Sequence, residues 1–180
     1  EVEYMDHTSN TIYAAFKVKE TNQDFLKDAS AVIWTTTPWT IPANKALAFN
    51  SSIEYSVIEI SELNYFKEKK IIVATNLIDS ITKACEIENY KILKTFKGKE
   101  LSGTICSHPF IKMDFSYDVP MLDAQFVNLE QGTGIVHCAP SHGPDDFNLC
   151  LKNNIPSLYT VDSAGLYTEE IPYFTNTHIF

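Results

Sequence analysis

The sequence predicts a mixed α+β, β-rich fold: a closed or nearly closed β-barrel core with helical insertions. Three observations carry that expectation. Short runs rich in β-branched and aromatic residues recur along the 180 residues. Only two segments space their apolar residues as a helix does. Strands and helices also fail to alternate strictly, as they would around a parallel sheet.

In chain order, "TIYAAFKV" (11–18) is the first strand run. "AVIWTTT" (31–37) is apolar on both faces until its threonines, as a strand buried on both sides would be. "EYSVIEI" (54–60), "KIIVAT" (70–75) and "YKILKTF" (90–96) continue the pattern. Between the last two, residues 76–87 place Leu77, Ile78, Ile81, Ala84 and Cys85 on one helical face, with Asn76 as the expected N-cap. "PMLDAQFVNLE" (120–130) and "GTGIVHCA" (132–139) add two or three strands. The second helix is expected over 143–154. Pro144 suits its first turn because it lacks only a spare N–H, and Asp145 and Asp146 meet the positive end of the helix dipole.

A chain of 180 residues with 44% hydrophobic and 21% charged residues has the size and composition of one globular domain. No apolar run reaches the roughly 18 residues of a membrane span, and no signal peptide opens the chain, which starts at Glu1. That start reads as a fragment of a longer protein or a processed chain. The net charge of −9 argues against tight autonomous nucleic-acid binding, which draws most of its affinity from phosphate neutralisation. Cys85, Cys106, Cys138 and Cys150 show no Cys-x-x-Cys spacing and read as reduced thiols of an intracellular protein.

Two stretches can carry chemistry. In "WTTTPWT", alternation along a strand sends Thr35 and Thr37 to one face and Thr36 to the other. Hydroxyls that donate and accept without charge suit a pocket for an ester or a ribose. A strand end whose hydroxyls satisfy backbone groups explains the spacing equally well and is the commoner use.

In "GTGIVHCAPSHGPDDF" (132–147), Gly132 and Gly134 flank Thr133 and permit sharp backbone geometry. His137 stands where the strand run ends, and the loop after it leads to a helix bearing Asp146, so the two side chains are expected to share a cavity. An unpaired carboxylate there would attract a cation such as an α-ammonium. Asp145 and Asp146 also suit simple stabilisation of the helix start. The His and Asp spacing matches no standard metal site, and no Gly-x-Ser-x-Gly elbow is present. Cys138 beside His137 points to the opposite face of a strand, against cysteine catalysis.

Taken together, "WTTTPWTIPAN" (34–44) and "GTGIVHCAPSHGPDD" (132–146) resemble the editing domain inserted into isoleucyl-tRNA synthetase. "VEYMDHTS" (2–9) and "LSGTICSHPF" (101–110) are similar to segments of the same family, so the resemblance covers most of the chain as a single domain, 1–180. Leucyl and valyl relatives carry Thr-Thr-Arg-Pro followed by an acid and Thr, whereas this chain reads Thr-Thr-Thr-Pro-Trp-Thr. "SHGPDD" looks more bacterial or organellar than eukaryotic cytosolic. The His-Ile-Gly-His and Lys-Met-Ser-Lys-Ser signatures of aminoacylation are absent from this sequence.

The resemblance implies hydrolytic proofreading of valyl-tRNA(Ile), and of valyl-adenylate. A pocket built for isoleucine rejects valine by only ~1–3 kcal/mol per methylene, a figure that comes from this very family, and a second sieve removes the smaller product. By resemblance, Thr35, Thr36 and Thr37 contact the terminal adenosine or the ester and place a water. Trp39 shapes the pocket, His137 bounds the side-chain space, and Asp146 rather than Asp145 binds the α-ammonium. Gly132 and Thr133 belong to the substrate-binding stretch. No metal and no cofactor are implied in this domain; ATP and Mg are used elsewhere in the parent enzyme. The implied partners are the valine-bearing 3′ end of tRNA(Ile) and the remainder of the synthetase, in the cytoplasm, with no membrane and a monomeric fragment. The competing readings are a non-catalytic module that positions the tRNA 3′ end or a partner, and a stand-alone trans-editing factor.

Overall fold

The computed structural model describes residues 10–61 and 67–180; the "VEYMDHTS" stretch lies outside the described residues. Nine strands make one sheet: β1 (Ile12–Glu20), β2 (Ser30–Thr35), β3 (Ala46–Phe49), β4 (Glu54–Ile60), β5 (Lys70–Ala74), β6 (Tyr90–Lys97), β7 (Ile105–Ser107), β8 (Asp118–Asp123) and β9 (Val136–Cys138). Their order across the sheet is β6-β4-β5-β2-β1-β7-β8-β3-β9. Most neighbours are antiparallel; β2 with β5 and β3 with β8 are parallel. The two helices are α1 (Ile78–Ala84) and α2 (Pro144–Lys152).

The expected barrel does not close. The sheet begins at β6 and ends at β9, and among the described residues these two strands do not pair. The composition of the edges explains this. Along β6, Lys91, Ile92, Leu93 and Lys94 are all exposed, and lysines on an outer strand oppose further pairing. At the other edge, β9 has three residues, and its one strand partner is β3.

The sheet nevertheless curls far enough that β9 packs on β2. The loop before β9 is tied to β4 and β5: the Ala74 N–H donates to the Thr133 carbonyl at 2.8 Å, and the Tyr55 hydroxyl donates to the Gly134 carbonyl at 2.6 Å. Gly134 has φ +76°, and a Cβ there would stand 2.4 Å from the Ala74 Cβ. Only glycine fits that approach.

The central strands form where the sequence is richest in Val and Ile. Ala31, Val32, Ile33, Ile71, Ile72, Val57 and Ile58 are fully buried in the main core, which α1 covers through Ile78 and Ile81. Asn76 is not the N-cap of α1. It lies in a 3-10 turn, Thr75–Leu77, and the capping residue is Leu77, without a side-chain bond. The expected helix start at Pro144 is observed. A smaller cluster of Ala46, Ala48, Cys138, Leu149 and Cys150 seats α2 on β3 and β9. Residues 156–180 have little regular structure and cover a third cluster, built on Ala43, Phe115, Ala139, Tyr167 and Ile171. All four cysteines are buried and unbridged.

Candidate active site

The threonine run straddles the end of a strand. Thr35 is the last residue of β2, Thr36 is exposed in the bend that follows, and Thr37 precedes a 3-10 helix, Pro38–Ala43. Pro38 stops the strand because its fixed φ and missing N–H suit the first turn of that helix. The hydroxyls then divide. The Thr35 Oγ1 accepts the Thr37 N–H at 3.0 Å, the backbone role that spacing allowed. Among the described residues, the Thr36 and Thr37 hydroxyls make no hydrogen bond.

Behind this row stands His137. It lies on β9, paired with Leu47 of β3, and is 8% exposed. Its tautomer follows from its neighbours. The Asn44 amide donates from Nδ2 to the Ala46 carbonyl at 2.9 Å, which fixes which way the amide points. The same nitrogen stands 2.7 Å from His137 Nδ1, so Nδ1 accepts and the ring proton sits on Nε2. That proton is directed to the Thr40 Oγ1 at 3.0 Å, and the Thr40 hydroxyl passes its own proton to the Thr37 carbonyl at 2.9 Å. Burial pushes the His137 pKa down to about 3, aided by the two histidines nearby, His108 and His142. His137 is therefore neutral near pH 7, and both ring nitrogens are occupied. It can bound a space, but it has no lone pair left to take a proton.

Asp146 sits in the first turn of α2, and its Oδ2 accepts the Ala139 N–H at 2.9 Å, two residues beyond His137. Burial raises its pKa, the Ala139 bond opposes that rise, and Asp145 adds to it. No lysine forms an ion pair with Asp146 among the described residues. The backbone must pass close to this carboxyl: a Cβ on Gly143 would lie 3.3 Å from the Asp146 carboxyl carbon. Asp145 is exposed on the same turn.

The hydrogen bonds from Thr37 through Thr40 to His137, and the Asp146 bond at the end of β9, bring the two predicted stretches together. Other expected site residues lie apart. The Thr133 hydroxyl is buried and consumed within its own turn, donating to the Ile135 carbonyl at 3.0 Å and accepting its N–H at 3.3 Å. Gly132, at φ +80°, borders a separate cleft of about 220 Å³ with Trp34, Phe126 and Asn128. The Trp39 ring meets His142 edge-on at 5.0 Å and Phe180 at 6.4 Å, while its carbonyl accepts the Tyr167 hydroxyl. It joins the 139–143 loop to the C-terminal segment.

Thr40 and Asn44 are the residues that sequence reasoning missed. The signal was present: with Lys45, they are the polar residues of the largely apolar "TIPANKALAF" run. No thiol supplies a nucleophile here, since burial pushes Cys150 up to about 11 and Cys138 well above its usual value. Among the described residues no group of three His, Cys, Asp or Glu side chains is placed to hold a metal ion. Among the described residues the arrangement combines two unengaged hydroxyls, a carboxylate without an ion-pair partner, and an imidazole whose two nitrogens are both hydrogen-bonded.

Across the whole chain, the isoleucine--tRNA ligase of Pelagibacter ubique (strain HTCC1062) is 60% identical over 180 residues, and this chain covers 20% of that protein. The isoleucine--tRNA ligase of Gluconobacter oxydans (strain 621H) is 42% identical, again over 100% of this chain and 19% of its own length. The chain thus spans about a fifth of these curated relatives. Among solved structures, the editing domain of the P. knowlesi cytosolic leucyl-tRNA synthetase superposes with a TM-score of 0.60 at 15% identity, over 79% of this chain and 60% of that one. That likeness concerns the fold alone, which is of the editing-domain type. The family described as "Leucyl-tRNA synthetase, editing domain" matches residues 9–178, nearly the whole length, and the chain belongs to that family.

Proposed function

We propose that this domain hydrolyses the ester of valine mischarged onto tRNA(Ile), with valyl-adenylate as a second substrate, as the proofreading part of a cytoplasmic isoleucine–tRNA ligase. One observation carries the reading most directly. Asp146 is a half-buried carboxylate with one oxygen held by the N–H of Ala139, just past the strand that carries His137, and it has no ion-pair partner among the described residues. Such a group favours an incoming α-ammonium, the one charge that every aminoacyl ester presents.

The remaining roles follow from hydrogen-bonding capacity. Thr36 and Thr37 offer unengaged hydroxyls to the ester, the terminal ribose or the attacking water. His137 sets the size limit by occupying space in one fixed orientation. An aminoacyl ester is already activated, so positioning of water and polarisation of its carbonyl can supply much of the acceleration without a covalent intermediate. The saturated ring of His137 leaves the general-base role to ordered water or to a hydroxyl of the substrate ribose.

The test is release of valine from valyl-tRNA(Ile) by the intact synthetase. Asp146→Ala removes a charge-assisted contact and is expected to slow deacylation roughly 10- to 100-fold. Equal rates would sink the role of Asp146. A non-hydrolysable valyl-adenosine analogue separates this reading from a non-catalytic module: failure to bind at millimolar concentration favours the module.

A further inference from the structure

His108 is a second buried histidine, bonded to the backbone of the same 3-10 helix that meets His137. It follows β7 and is 1% exposed. Its ring stacks on Phe115 at 4.8 Å, with Phe16, Phe110 and Tyr117 around it. The Phe110 N–H donates to its Nδ1 at 3.1 Å, so the proton is on Nε2 and is given to the Ile41 carbonyl at 2.9 Å. Burial pushes its pKa down to about 4, and it is neutral near pH 7.

Ile41 lies in the middle of the helix Pro38–Ala43, directly after Thr40 and three residues before Asn44. Its carbonyl also accepts the Asn44 N–H at 3.0 Å. From the same aromatic nest, the Tyr117 hydroxyl donates to the Asn44 carbonyl at 2.6 Å. Thr40 and Asn44 are the two residues that grip His137. The 3-10 helix is therefore bonded to two imidazoles, to His108 through the Ile41 carbonyl and to His137 through the Thr40 hydroxyl. A 3-10 helix has poorer hydrogen-bond geometry than an α-helix and needs such outside anchors.

We infer that His108 is a positioning residue for substrate discrimination: by anchoring the Ile41 carbonyl it fixes Thr40 and Asn44, and through them the place of His137. This inference rests on the editing reading above. The side-chain wall must be stiff to within a methylene if isoleucine is to be excluded, and a loosened helix lets the His137 ring recede. The result is not a dead enzyme but a less selective one, which begins to cleave the correct isoleucyl-tRNA.

The experiment compares deacylation of valyl-tRNA(Ile) and isoleucyl-tRNA(Ile) by the intact synthetase carrying His108 variants. His108→Phe keeps the stacking and removes the donor. His108→Gln places an amide N–H near the Nε2 position, and His108→Asn places one near Nδ1, out of reach of Ile41. The expected result is a valyl/isoleucyl rate ratio lowered about tenfold by His108→Phe and His108→Asn, through faster isoleucyl-tRNA cleavage. His108→Gln should stay within about threefold of wild type, and aminoacylation should be unchanged throughout.

Ile81→Ala in α1 controls for lost stability, since it opens the same core far from the helix and should lower the melting temperature while leaving the ratio alone. The inference is overturned if His108→Phe or His108→Asn holds the ratio within about twofold of wild type. It is overturned equally if His108→Gln falls as far as His108→Asn, or if Ile81→Ala lowers the ratio as much. A wild-type enzyme that releases no valine would instead remove the editing reading itself.

Discussion

The proposed site has two walls, one saturated and one open, which differ in how much hydrogen-bonding capacity they have left. On the His137 wall every nitrogen is committed: Asn44 holds Nδ1, Thr40 holds Nε2, and both holders are fastened to the backbone. On the open wall, the Thr36 and Thr37 hydroxyls and the Asp146 Oδ1 have no hydrogen-bond partner among the described residues. A saturated side chain can only occupy space, whereas an unsaturated one can bind. Under the proposed function, exclusion and recognition fall to different residues, and the same substitution chemistry should have opposite consequences on the two walls.

The largest expected effect is on the saturated wall. Asn44→Leu keeps the volume but strips the donors from His137 Nδ1 and the Ala46 carbonyl, and urea unfolding should show a loss of roughly 3 kcal/mol. Thr40→Val leaves the His137 N–H buried without an acceptor and should cost about 2 kcal/mol in the same assay. A third test uses pH. Because the folded-state pKa of His137 lies near 3 and the unfolded value near 6.5, the unfolded chain binds the extra proton between them. Stability is then fully present above pH ~6.5 and is lost as pH falls towards the folded value. Replacing His137 with Gln should reduce that slope by about 1.4 kcal/mol per pH unit between pH ~4 and ~6.

The smallest effect on stability belongs to the open wall. Thr36→Val and Thr37→Val break no bond within the protein and should move stability by no more than about 0.5 kcal/mol. Their cost should appear in deacylation instead, roughly 10-fold for whichever hydroxyl contacts the substrate. If Thr37→Val destabilises the chain as much as Thr40→Val does, the division between the walls is wrong.

Most strands were legible because Val and Ile runs such as 54–60 and 70–74 are buried on both faces and offer no alternative period. The missed strands, β3 and β7, are four and three residues long and borrow their stability from neighbours in the curled sheet. Closure could not be read because it depends on whether β6 and β9 meet, and no local pattern encodes a contact between those strands. In the candidate site, the two separated stretches that carry residues 35–37, 137 and 146 were legible, and the fold brings those stretches together. The grip on His137 was not, because it comes from Asn44, which alternation along a strand cannot relate to a residue 93 positions away. Likewise Thr133 looks exposed in a Gly-Thr-Gly turn, yet the turn folds its hydroxyl inward.

The four free cysteines lend the molecule a set of internal clocks. Cys85 closes α1, Cys106 lies on β7, Cys138 on β9 beside the site, and Cys150 in α2. Each is buried, and burial holds each thiol in its unreactive protonated form. An alkylating reagent can then label a given position only when its own element opens, so four labelling rates read out four local opening equilibria in one experiment. Under the proposed function, a substrate analogue bound through Thr37 and Asp146 should slow Cys138 and Cys150 before it slows Cys85.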